Sequence, residues 1–381
     1  MVPRLACLVT VLAFAPIAHA QEDGFVPLFN GKDLTGWHNV NCAPKTFSVK
    51  DGLIVTTGIP TGYLRTAKQY ENFILEFEWF HAPTKKGDVG NSGLFVWGDP
   101  IPAVGTGYTR SIEVQVLVNL EVKDLYTSQG DLFSIHGAKC KPDRPHPKGL
   151  ERCLPSENRC KGEYEWNHYR VEAKDGSIKL AVNGKIVSGV SECKPRKGYL
   201  ALESEGSECR FKNLKIKELP TSNPPADEVA DVDKGWKCLF TGIDLAGWKA
   251  TDEHKAHWKM KEGVLSCDGK CKADIPHLFT EKTFQYGQFE LVCDWLGGDG
   301  AILIPVRSGS YREVPMTGDK KGWNRYVLRV NGGRVALTRN GKKVVLDDNQ
   351  ATVVSATGSI GLRHDGGQFR NVFVRELKGD E

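Results

Sequence analysis

Phe73-Ile74-Leu75-Glu76-Phe77-Glu78-Trp79-Phe80 alternates apolar and polar side chains through its centre, the period-two signature of a strand with one face in a core. Ile112-Glu113-Val114-Gln115-Val116 carries the same pattern. Between short alternating runs stand Asp175-Gly176, Asn183-Gly184, Asn331-Gly332 and Asn340-Gly341. Such pairs tolerate the positive φ angles of a two-residue hairpin turn. No stretch sustains a 3.6-residue period. The fold class that follows is all-β, with antiparallel strands in sandwiches of the jelly-roll type.

The chain repeats itself around these strands. Leu28-Phe29-Asn30-Gly31-Lys32-Asp33-Leu34-Thr35-Gly36-Trp37 recurs as Leu239-Phe240-Thr241-Gly242-Ile243-Asp244-Leu245-Ala246-Gly247-Trp248. Tyr70-Glu71-Asn72-Phe73-Ile74-Leu75 matches Tyr286-Gly287-Gln288-Phe289-Glu290-Leu291, and Glu165-Trp166-Asn167 matches Gly322-Trp323-Asn324. Arg210-Phe211-Lys212-Asn213-Leu214 matches Gln368-Phe369-Arg370-Asn371-Val372. Blocks in one order imply two tandem copies. The offset is 211 at the first Trp pair (248 − 37) and 157 at the Trp-Asn pair (323 − 166), so the second copy is 54 residues shorter. The expected layout is a sandwich over 21–219, a Pro-rich and acidic linker over 220–233, and a shortened, non-catalytic sandwich over 234–381.

Residues 1–20 read as an export signal. Arg4 precedes an apolar run that is too short to span a bilayer, and Ala18-His19-Ala20 offers a cleavage site. The expected location is therefore secreted or periplasmic. Without the signal's single Arg the net charge falls from +4 to +3, with both signs mixed, which argues against a nucleic-acid partner. No later segment is apolar enough to cross a membrane. Ten cysteines follow the signal, six in the first copy and four in the second. In an oxidising compartment they are expected to form disulfides within each copy. Zinc is the alternative, but the spacings lack paired CxxC motifs and a neighbouring His pair.

Alternation also points to a polar face. Residues two apart on a strand share a face, so Glu113 and Gln115 go together, as do Glu203 and Glu205. Asn91 and Trp97 flank a strand after a Gly-bounded turn, Arg65 sits in Leu64-Arg65-Thr66, and His136 lies in the insert that the second copy lacks. A Glu on an alternating strand ordinarily faces solvent, and a lone His or Arg is ordinarily structural. The concentration of these residues in one copy is what marks them. In the second copy Arg65 is replaced by Phe279, Gln115 by Pro315, and Glu203 and Glu205 by Arg363 and Asp365. The packing residues Trp248, Phe289, Trp323 and Phe369 remain.

The order Leu-Phe-Asn-Gly-x-Asp-Leu-x-Gly-Trp, Leu-Arg-Thr, Asn-Ser-Gly-x-Phe, Glu-Val-Gln-x-Leu, Glu-Trp-Asn resembles the 3-keto-disaccharide hydrolase domain family, which has a concanavalin A-like lectin and glucanase fold. The resemblance runs from Phe25 to Leu219 and recurs more weakly from about Gly235 to Leu377. Val118 and Glu203 depart from the family pattern, which has Asp and Gln there. The resemblance implies cleavage of glycosides already oxidised at C3. A 3-ketone acidifies the C2 proton, and its loss expels the C1 substituent. Such chemistry needs a base, a cation for the enolate and an acid for the leaving oxygen. On that logic Glu113 is the base or acid, Arg65 the enolate cation and His136 a second acid/base. Gln115, Asn91, Glu203 and Glu205 are expected to bind the sugar, and Trp97 to stack on its ring. Two alternatives stand beside this: ordinary two-carboxylate glycoside hydrolysis, and a non-catalytic carbohydrate-binding protein. Calcium occurs in such folds, but Asp88, Asp124 and Asp131 lack calcium-loop spacing, so no metal ligands are assigned.

Overall fold

The computed structural model describes residues 24–82, 89–119, 129–285, 288–297, 299–305, 311–318, 321–347, 357–363 and 365–377. The expected export signal, Asp88 and Asp124 lie outside the described residues.

Alternation becomes sandwich geometry in the first half of the chain. Phe73–His81, whose Phe73, Leu75, Phe77 and Trp79 are buried, is the centre of a nine-stranded antiparallel sheet. Asn167–Lys174 flanks it on one side and Cys209–Glu218 on the other. A seven-stranded sheet faces it. Its order is Arg152–Cys153, Leu132–Ile135, Ser111–Val118, Gly90–Gly98, Tyr199–Ser204, Gly62–Thr66 and Trp37–Val40. On the inner face of the large sheet Trp79 meets Tyr169 edge-on at 5.2 Å, and the Tyr169 hydroxyl crosses to the facing sheet to donate to Gln115 O at 2.9 Å. Aromatic pairs of that geometry add to the burial of the inner face.

The second half repeats the pairing order. Trp258–Lys261, Val264–Cys267, Gly367–Glu376, Gln288–Leu296, Asn324–Asn331 and Arg334–Arg339 follow one another across an eight-stranded sheet. Phe47–Lys50, Leu53–Thr56, Cys209–Glu218, Phe73–His81, Asn167–Lys174 and Ser177–Val182 do so in the first half. A four-stranded sheet built on Gly300–Pro305 and Tyr311–Met316 faces the eight-stranded one. Each half has its own apolar core.

Three of the four expected hairpin turns form as read. Asp175-Gly176, Asn183-Gly184 and Asn340-Gly341 all have positive φ at both residues. The fourth shifts by one residue. Asn331 stays in its strand, and Gly332-Gly333 makes the turn, because glycine adopts positive φ at no steric cost.

The expected disulfides are not formed: the ten cysteines of the described residues are all thiols in the structure. Eight are buried, spread over both cores. Cys153, Cys193 and Cys293 point their sulfurs at the carbonyls of Leu154, Ser191 and Asp294. They behave as small core side chains with weak S–H donors. Burial raises the Cys209 and Cys293 thiols well above the usual range, which disfavours the reactive thiolate.

The halves pack back to front. The outer face of the second half's large sheet lies on the outer face of the first half's seven-stranded sheet. Val292 and Phe373, with Val327, meet Val40, Tyr63, Phe95 and Ala201 in a separate apolar cluster. The 99–110 loop is gripped alongside it. Asp294, fully buried, accepts from Gly105 N at 2.9 Å, from Arg325 Nε at 2.7 Å and from Asn371 Nδ2 at 2.7 Å. Asn371 also donates to the carbonyl of Thr106 and accepts from Asn41 Nδ2 at 2.6 Å.

Candidate active site

Strand register assembles two rows across the seven-stranded sheet on the side away from the core. One row runs Tyr63, Glu203, Gly93, Gln115, Asp131; the next runs Arg65, Ala201, Phe95, Glu113, Phe133, Arg152. Paired residues of neighbouring strands share a face. The rows therefore bring Glu113, Gln115 and Glu203 together, with Asn91 and Glu205 one step along.

Gly93 is the opening in the middle. A Cβ there would stand 2.9 Å from Oε2 of Glu203 and 3.0 Å from Oε1 of Glu113, so both carboxyl groups fill the space that the glycine leaves. Both are buried, at 1% and 6% exposure. Oε2 of Glu203 has no hydrogen-bond partner among the described residues. Glu205 is held differently. Its Oε1 accepts from the Tyr108 hydroxyl at 2.7 Å and its Oε2 from Asn91 Nδ2. Gln115 Nε2 donates to Asn91 Oδ1 at 2.7 Å, which fixes that amide.

The electrostatics follow from burial. Loss of water, then the charge of Glu205, pushes the Glu113 carboxyl up to about 8, against a downward pull from Arg152. Loss of water and then the neighbouring charges of Glu113 and Glu205 raise Glu203 well above the usual carboxylate range. Glu203 is thus a proton holder at neutral pH, and Glu113 titrates close to it. Gly93→Ala is expected to force the two groups apart. The Glu203 midpoint, raised in part by the Glu113 charge, should fall when followed by NMR of labelled carboxyls.

The structure does not bring Arg65 or Trp97 to this cluster. Arg65 is buried, and its donors go to Pro100 O, Thr66 O and Asp233 Oδ2, the last at 2.6 Å. Three strand spacings, about 14 Å, separate its backbone from that of Glu113. Its geometry makes it an anchor for the linker rather than an enolate cation. Trp97 is fully buried, with Nε1 donating to Glu71 O at 2.9 Å, so its ring offers no face to a sugar. Strict alternation would put Trp97 beside Phe95. A shift in the pairing with Tyr199–Ser204, with Trp97 itself at φ 60°, turns it into the core instead. His136 is exposed and stacks on Tyr108, ring centroids 5.6 Å apart. Desolvation, then the Arg370 charge, lowers its pKa.

Of three further residues at the site, Arg152 and Tyr108 carry no local signal in the sequence, and Asp131 figures in the sequence reading only as a candidate for calcium. Arg152 lies across the Phe133 ring, 3.6 Å from its centroid, and pairs with the fully buried Asp131 at 3.3 Å. It is the nearer of the two cations in the Glu113 row, two strands away where Arg65 is three. Tyr108 is the third. All three lie in the stretch that the second half lacks, where no repeat was available for comparison.

The second half has a different centre at the matching strand positions. Glu313 pairs across its strand with Leu303, as Glu113 does with Phe95. Its carboxylate meets Arg363 Nη1 at 2.6 Å. Arg363 follows Leu362 as Glu203 follows Leu202. An ion pair there replaces two carboxyl groups. Among the described residues of either half, no group of three or more His, Cys, Asp or Glu side chains is arranged to hold a metal ion.

The family model of the 3-keto-alpha-glucoside-1,2-lyase-like domain matches residues 24–217 and 299–375. Among solved structures, a glycosyl hydrolase candidate from Parabacteroides distasonis ATCC 8503 is 26% identical over 52% of this chain and 94% of that one, with a TM-score of 0.40. The carbohydrate-binding module CBM66 from Bacillus subtilis is 11% identical over 48% and 96%, with a TM-score of 0.35. Bacillus licheniformis beta-glucanase is 14% identical over 52% and 100%, with a TM-score of 0.33. No curated protein matches the chain.

Proposed function

The chain belongs to the 3-keto-alpha-glucoside-1,2-lyase-like domain family, and from that premise we propose that its first half cleaves 3-keto-glycosides by β-elimination. The observation that carries this reading is the Gly93 recess, where one carboxyl titrates near 8 and a second keeps its proton. Ionised Glu113 takes the proton from C2. The C2–H electron pair becomes the C1–C2 double bond as the C1–O bond breaks towards the leaving oxygen. Protonated Glu203 supplies that oxygen with a proton. Arg152 faces the charge that builds up on the C3 oxygen, while Gln115 and Asn91 hold Glu205 in place. Addition of water to the unsaturated product gives net hydrolysis. The second half is a shortened copy without this centre, and the leader sequence directs the protein out of the cytoplasm.

The test uses an aryl 3-keto-glucoside and follows release of the phenol. A base that titrates near 8 makes kcat/KM rise about tenfold per pH unit below that value and level off above it. Release that is independent of pH between 6 and 9 would remove Glu113 from the base role.

A second reading rests on the same recess. The two carboxyl oxygens lie no more than about 6 Å apart, a bound that admits the roughly 5–5.5 Å of a retaining pair and falls below most of the inverting range. Cleavage of the matching non-oxidised aryl glucoside at a comparable rate would favour that reading.

A further inference from the structure

Beside the carboxylate cluster, a cleft of about 450 Å³ opens between the two halves. Its first-half wall is Thr61 and Tyr108, and its second-half wall includes Lys261, Ser266, Gln368 and Arg370. Tyr108 links it to the cluster, because the same residue donates its hydroxyl to Glu205. The second-half wall comes from strand alternation. Lys261 pairs with Val264 and Ser266 with Gln368, all on the outer side of the large sheet, while Leu265 and Phe369 point into the core. The apolar part of that outer side packs on the first half, and its polar part is left to line the cleft.

From this we infer that the second half supplies the leaving-group subsite: it binds the second, polyhydroxylated ring of a disaccharide substrate across from Tyr108. The inference rests on the 3-keto-glycoside reading for its chemistry and extends it to a half that has no reactive centre of its own. A hydroxyl, an amide, two cations and the Glu262 carboxylate on one wall, with an aromatic ring on the other, suit the hydroxyls and apolar face of a sugar. Arg370 anchors the wall. Its Nη1 donates to Gly105 O at 3.4 Å and its Nη2 to Glu262 O at 3.3 Å, while its Nε has no hydrogen-bond partner among the described residues. Gln368 is exposed, and its amide makes no hydrogen bond to a described residue, so it is available to a ligand. Tyr108 both lines the cleft and donates to Glu205, so a ring held in the cleft would lie beside the cluster.

The test compares a 3-keto-disaccharide with methyl 3-keto-glucoside, which lacks the second ring, on the full-length protein and its Gln368→Ala variant. A sugar hydrogen bond lost at Gln368 should raise KM for the disaccharide about fivefold, with kcat and the methyl glycoside unaffected. Arg370→Lys should raise the disaccharide KM further, since a single ammonium loses the fork of the guanidinium. Equal effects on both substrates, or none, would overturn the subsite. Turnover of neither substrate by the native protein would instead overturn the 3-keto reading. The subsite would then stand or fall on calorimetric binding of maltose: weaker in Gln368→Ala supports it, and unchanged or absent binding rejects it.

Discussion

Replacing Glu113 by Gln should cost about 10²–10⁴-fold in kcat/KM on a 3-keto-glycoside and at the same time make the protein more stable at alkaline pH. The activity loss follows because an amide cannot take the C2 proton. The stability gain follows from linkage. Folded Glu113 keeps its proton to about 8, whereas in the unfolded chain it releases it near 4.5. The folded state therefore holds the extra proton between those values, and stability that is fully present below 4.5 is lost as pH rises through 8. Gln has no proton to lose. Thermal unfolding of the variant should match the native protein at pH 4 and pull ahead steadily to pH 8. There the gain is of the order of 2–4 kcal/mol, less than the full shift because water relaxes around a buried charge. A gap that does not grow with pH would mean that Glu113 is not a buried proton holder.

Asp294→Ala should have the largest structural effect. Its carboxylate is the common acceptor for Arg325, Asn371 and the Gly105 amide. Removing it leaves a largely buried guanidinium and two donors without that acceptor. Breaking a buried pair in this way costs about 3–5 kcal/mol. For halves of this size that lowers the unfolding midpoint by about 10 °C. Hydrogen exchange should rise first in the 99–110 loop, before either core opens, because the grip on that loop is what is lost. Asp294→Asn keeps an acceptor and should cost less. A uniform rise in exchange across the second half would place the role of Asp294 in that half's core rather than between the halves.

The strands and most hairpins were legible because alternation and Asn-Gly or Asp-Gly turns are local signals. The cluster was legible in part for the same reason: Glu113, Gln115, Glu203 and Glu205 lie on central strands whose period is clean. The rest depended on contacts that no local pattern encodes. Arg65 is an unusual residue for a strand, but its partner Asp233 lies 168 residues away. Trp97 obeys alternation in the sequence and is turned inward by a local irregularity. The packing of the halves did leave a trace. Leu214-Lys215-Ile216 alternates, whereas the matching Val372-Phe373-Val374 is apolar throughout. A strand apolar on both sides has both sides buried, and Phe373 indeed lies between the halves.

That packing has a consequence for how the chain is made. A ribosome delivers the first half before the second. Until roughly 8–30 s of further synthesis are complete, at about 5–20 residues per second, the strip of Val40, Tyr63, Phe95 and Ala201 has nothing to cover it. The newborn first half therefore emerges with a sticky surface beside its own recess. A chaperone, or slow translation of the 220–233 stretch, would act on that interval, and a chain truncated before Asp233 would carry the exposed strip for its whole lifetime.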